Sequence, residues 1–116
     1  MLTIKSNKLE SVPFIYDVAG VEHELLMTQF TVADHFKLIE LQKELFADGK
    51  ADANATAKII MSRIAVSVKD KEGKYFFTDS LDKLVEDVPA EAIFALSVEC
   101  DKLNPMNTGA LEDKKK

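Results

Sequence analysis

The side chains best suited to base or nucleophile chemistry near neutral pH are two histidines, His23 and His35, and a single cysteine, Cys100. A hydrolase or transferase built on them would need one paired with an orienting group, as in a Cys-His dyad. Their settings argue against it. His23 falls in a strand-like run and His35 in the first turn of a predicted helix, where a surface or boundary imidazole is the ordinary outcome. Cys100 falls on the apolar face of the last predicted helix, where a thiol is usually buried and inert. No catalytic residue is assigned.

Metal and phosphate chemistry find no better footing, and no cofactor is expected. Structural zinc needs four Cys or His ligands at close spacing, which one Cys and two scattered His do not supply. Asp70, Glu72 and Gly73 superficially match a calcium loop, but the glycine comes too early and Tyr75, Phe76 and Phe77 stand where oxygen ligands are needed. Gly20, Gly49, Gly73 and Gly109 stand alone, so no glycine-rich phosphate cradle is built. Asn54-Ala55-Thr56 matches a glycosylation sequon, for which helix capping by Asn54 is the better explanation.

What remains is interaction chemistry. The aromatic run Tyr75-Phe76-Phe77 beside a polar turn is one candidate protein-binding feature, because alternate residues of a strand point to opposite faces. Ile59 and Val66 are a second, since they fall on the side of a predicted helix away from its main apolar face. The outer strand of a predicted hairpin, able to pair with another chain, is a third.

Several elements must position these groups. Phe14–Val18 and Val21–Met27 are β-rich runs separated by Ala19-Gly20, the pattern of a hairpin. Thr31-Val32-Ala33-Asp34 resembles a capping box and predicts a helix from about residue 32 to Ala47, ended by Asp48-Gly49. Val32, Phe36, Ile39 and Phe46 make one apolar stripe on it, Leu38, Leu41 and Leu45 a neighbouring one, and Lys37, Glu40 and Glu44 the wet edge.

A second helix is predicted from Asn54 to Val68, with Ala57, Ile60, Met61, Ile64 and Val68 facing the core. Two helices with a second apolar stripe each are either both central or partly turned to a partner; burial within the monomer is the expected outcome. Asp70–Lys74 then forms a turn with Gly73 at its apex, followed by a short strand at Tyr75–Phe77. A short helix runs through Leu81, Leu84 and Val85, capped by Thr78, Asp79 or Ser80. Pro89 opens the last helix, whose face is Ala92, Ile93, Leu96, Cys100 and Leu103, and Asn104-Pro105 ends it.

The fold class expected is α+β, an N-terminal β-hairpin followed by a mainly helical single domain over 1–104, with 105–116 as a flexible tail. The 116 residues suit one hydrophobic core. Twenty acidic against fifteen basic residues disfavour nucleic acid as a partner. No run is apolar enough to span a bilayer, the N-terminus lacks a signal-peptide pattern, and a lone cysteine suits a reducing compartment, so cytoplasm is expected.

From the second helix onward the chain resembles a known family. An Ala/Ile-rich helix runs into Ile64-Ala65-Val66-Ser67-Val68-Lys69-Asp70-Lys71-Glu72-Gly73, followed by Phe77-Thr78-Asp79, Val88-Pro89-Ala90-Glu91 and a closing Leu103-Asn104. This is similar to the tail assembly chaperones of long-tailed bacteriophages. The likeness is fullest from about Ala55 to Asn104 and weaker across the first helix. It implies a non-catalytic protein of the infected cytoplasm, without cofactor, that engages the tape measure protein and the tail tube protein and is missing from the finished virion. Self-association is a further use open to the paired apolar stripes. A small structural protein, such as a tail completion or connector subunit, is the alternative. Lys114-Lys115-Lys116 is either a solvated tail or the trace of a slippery codon run, since this family often makes a longer frameshifted product.

Overall fold

The structure, a computed structural model, describes residues 1–4, 9–46 and 54–105. Strands β1 (Ser11–Val18) and β2 (Val21–Thr28) form the antiparallel hairpin, in register from Ser11 opposite Thr28 to Val18 opposite Val21. Its two-residue turn has positive φ at both Ala19 (52°) and Gly20 (87°), as a type I′ turn requires. Asp17 supports the turn, its Oδ1 accepting the Gly20 N–H at 2.8 Å. An alanine is strained in that left-handed region. Ala19→Asn is therefore expected to raise the unfolding free energy by about 0.5–1 kcal/mol, visible in a thermal melt as a Tm a few degrees higher.

Helix α1 (Val32–Lys43) starts at a complete capping box: Thr31 accepts from the Asp34 N–H, and the Asp34 carboxylate accepts from the Thr31 N–H. A 3-10 turn, Glu44–Phe46, follows it. The expected continuation to Ala47 and the stop at Asp48-Gly49 lie outside the described residues, as do the tail beyond Pro105 and its lysines.

Helix α2 (Ala55–Ser67) is central, packed on α1 and on the last two helices, α3 (Leu81–Asp87) and α4 (Ala90–Leu103). Met61 and Ile64 face the core as expected, and Val66, expected to look away from it, is buried as well. Asn54 occupies the N-cap but makes no side-chain capping bond, contrary to expectation. Ser80 is the residue that caps α3, and Pro89 stands one position earlier than expected, at the N-cap of α4.

The chain leaves α2 one residue earlier than its apolar pattern implies. Val68 turns extended, and Val68–Lys69 becomes a short strand, β3, pairing with β2 at Met27 and Leu26. The sheet is three-stranded in the order β1-β2-β3. Ser67 and Thr28 weld the junction: the Ser67 hydroxyl donates to the Thr28 carbonyl at 2.7 Å, and the Thr28 hydroxyl to the Ser67 carbonyl at 3.2 Å. Asp70–Lys74 is the expected turn, with Gly73 at φ 85° and Asp70 Oδ1 accepting from the N–H groups of Glu72 and Lys74. The strand expected at Tyr75–Phe77 shrinks to one bridge, Tyr75 to Lys69.

One buried cluster unites these elements: Leu25 and Met27 from the sheet, Met61, Ile64, Ala65 and Val68 from α2 and β3, and Leu81, Leu84, Ile93, Leu96, Cys100 and Leu103 from the last two helices. The fold is α+β. Among the described residues, no helix is long and apolar enough to cross a membrane.

Candidate protein-binding surface

The five side chains singled out from the sequence are mostly inside. Val66 is 1% exposed and Phe77 is buried in the core cluster. Tyr75, Phe76 and Ile59 are half-buried. Phe76 packs edge-on against Tyr16 at 6.0 Å and Phe77 at 5.0 Å and tilts over His23 at 5.1 Å. The aromatic run therefore docks the hairpin onto the body. Val66 is covered because α2 lies between α1 on one flank and α3 and α4 on the other, so a helix apolar all round is satisfied within the chain.

Helix α1 turns out differently. Its row Asp34, Leu38, Leu41, Leu45 repeats at spacings of four, three and four and faces α2, with Asp34 and Leu38 buried and the other two partly so. The row Val32, Phe36, Ile39, Lys43 has the same spacing and lies about half a turn round the helix. It stays uncovered: Val32 is 75% exposed, Phe36 62% and Ile39 46%. The stripes expected to be neighbours are thus on opposite sides, and the expected burial of both within the monomer holds for α2 and fails for the outer row of α1. A 4-3-4 row is the seam by which one helix packs along another at a shallow angle. Apolar side chains are exposed to a similar degree at Phe94 and Val98 on α4 and at Ile15 and Val21 on the hairpin.

Which row faces inward is decided by Asp34. It is 2% exposed, and its Oδ2 accepts from Lys69 Nζ at 2.7 Å while its Oδ1 accepts from the Tyr75 hydroxyl at 2.6 Å. Lys69 Nζ also donates to the Thr28 hydroxyl at 3.2 Å. A buried carboxylate needs such partners, so the helix is rotated until Asp34 reaches them and Phe36 points away. In the sequence Asp34 reads as half of a capping box. The missed signal is that it also heads the leucine row.

The two ends of this cluster titrate in opposite senses. Burial pushes the Asp34 carboxyl up, but the bonds from Lys69, Thr31 and Tyr75 outweigh it and hold it below its ordinary value of 3.8. Its contribution to stability is therefore complete above 3.8 and is lost as pH falls through the lowered folded-state value. Burial first, then Asp34, pushes the Tyr75 phenol from 10.0 to about 12, so its contribution is complete below pH 10.0 and is lost as pH rises towards about 12. Circular dichroism against pH should show an alkaline loss over that interval, to which the half-buried Tyr16 and the buried Cys100 add, and Tyr75→Phe should shrink that limb while leaving the acid limb.

The remaining chemistry-bearing groups are dispersed. His23 lies on β2 under Phe76, His35 is exposed on α1 beside Phe36 at 6.5 Å, and Cys100 is buried on α4 with its thiol 3.8 Å from the Arg63 carbonyl. Burial pushes the Cys100 thiol up, which disfavours the thiolate. Among the described residues, no three His, Cys, Asp or Glu side chains are grouped to hold a metal ion. Compared with known proteins, the chain matches no family model, no curated protein and no solved structure.

Proposed function

We propose that this chain is a non-catalytic tail assembly chaperone of a long-tailed bacteriophage, binding the unassembled tape measure protein in the cytoplasm of the infected cell, with the tail tube protein as a second client. The observation that carries the reading is the uncovered Val32-Phe36-Ile39 row. A helical client with an exposed apolar stripe can lay that stripe along α1, which covers apolar surface on both proteins. Binding the unassembled client lowers the population free to aggregate, by mass action, and repeated weak contacts along a long client add up.

The motif string from Ile64 to Asn104 supports the same reading from a second direction, and its closing residue has a physical role. Asn104 Oδ1 accepts from the Phe30 N–H at 2.7 Å and its Nδ2 donates to the Thr28 carbonyl at 3.2 Å. The end of α4 thus anchors the approach to α1.

Co-expression with the tape measure protein of the same genome tests the proposal through the client's soluble yield and its co-purification. Higher yield with co-purification supports it. No rescue, with this chain found instead in purified virions, favours the structural alternative, a tail completion or connector subunit.

A further inference from the structure

We infer that α1 is a flap that opens as a unit from an otherwise complete core, held shut by the Asp34-Lys69-Tyr75 latch. The buried core cluster contains no residue of α1; Leu41 packs against it from outside. Of the twelve residues of α1, two are buried, Asp34 and Leu38, whereas α2 buries seven of thirteen. Removing α1 therefore uncovers Val66 and the leucine row but leaves the core cluster largely closed, so the apolar area that opposes its departure is smaller than that holding α2.

The chain on its N-terminal side is firmly pinned. Thr28 is bound to Ser67, and Phe30 is held through its N–H by Asn104, which caps α4. Rigid attachment therefore ends at Phe30, and α1 begins two residues later. Beyond that point the helix is joined to the body by its Leu38-Leu41-Leu45 row against α2 and by a few polar bonds: Asp34 to Lys69 and Tyr75, and Gln42 Nε2 to the Ser62 hydroxyl at 3.3 Å. Water replaces such bonds on opening, so their net contribution is small compared with their number. Lys69 lies on β3 and Tyr75 bridges to it, so the latch ties the start of α1 to the sheet edge, while the rest of the helix lies on α2. When it opens, the Leu38-Leu41-Leu45 row is freed with the outer row, and α1 offers apolar side chains on two sides. The inference concerns the free chain and does not depend on who its partner is.

Native-state hydrogen exchange on the full chain at neutral pH tests it. Amides 36–43 are expected to exchange about 100-fold faster than those of 61–67 and 96–103, as a sub-global opening does. Asp34→Asn is expected to accelerate the α1 amides by about tenfold more and to leave α2 and α4 unchanged. Tyr75→Phe, the milder change, should move α1 in the same direction. Equal protection of α1, α2 and α4 would overturn the flap, as would acceleration of all three together in the variants. Unchanged α1 rates in both variants would overturn the latch.

Discussion

Phe36→Asp is expected to leave the fold intact and to weaken client binding by about 100-fold, which is close to 2.7 kcal/mol. The side chain is 62% exposed and stands in the middle of the outer row of α1, where substitutions usually shift stability by less than about 0.5 kcal/mol. At an interface the same change removes an aromatic anchor and forces a carboxylate to lose its water against apolar side chains. A thermal melt and a binding titration with the tape measure protein separate the two effects. Phe94→Asp is the matched control: an exposed phenylalanine on α4, away from the row, where binding should be unchanged. Undiminished binding by Phe36→Asp would remove α1 as the docking surface, and equal losses in both variants would point to a general apolar effect.

The largest loss of stability is expected from Ile64→Ala. Ile64 is fully buried, in the core cluster where α2 meets the sheet and the last two helices. Deleting its outer carbons loses their transfer energy and leaves a cavity that helices on several sides cannot all close, a cost of about 2–5 kcal/mol. For a chain of this size that corresponds to a Tm lower by roughly 10–20 °C. Urea unfolding should show a lower midpoint with an unchanged slope. Ile59→Ala, on a half-buried position of the same helix, should cost clearly less; equal costs would mean that α2 is not the central element.

Local features were legible without a structure because a few neighbouring residues determine them. Asp17-Val18-Ala19-Gly20 gives a tight turn by its backbone preferences, whereas the imperfect alternation of the flanking run left the register open, and the two-residue turn sets it. The Thr31 and Asp34 side chains cap α1 within one helical turn, and Asn104-Pro105 ends α4 for want of a continuing N–H. The candidate binding residues were read less well. Tyr75, Phe76 and Phe77 have the composition of an exposed aromatic hot spot, yet their partners Asp34, Tyr16 and His23 come from distant segments. Val66 looked outward only if α2 had one buried side, and the packing of α1 gives it two.

The sequence by itself determined the hairpin, the helices and their order, and the main inward faces of α2 and α4, since hydrophobic period and cap chemistry are short-range properties. The tertiary structure decided which side of α1 is solvent-facing, where α2 yields to β3, and that the aromatic run closes the molecule on itself. Those outcomes depend on side chains far apart in the chain. Asp34, buried beside Lys69 and Tyr75, is the clearest case: a carboxylate must take its partners with it into the interior, and that requirement selects one of two equally apolar rows for the inside.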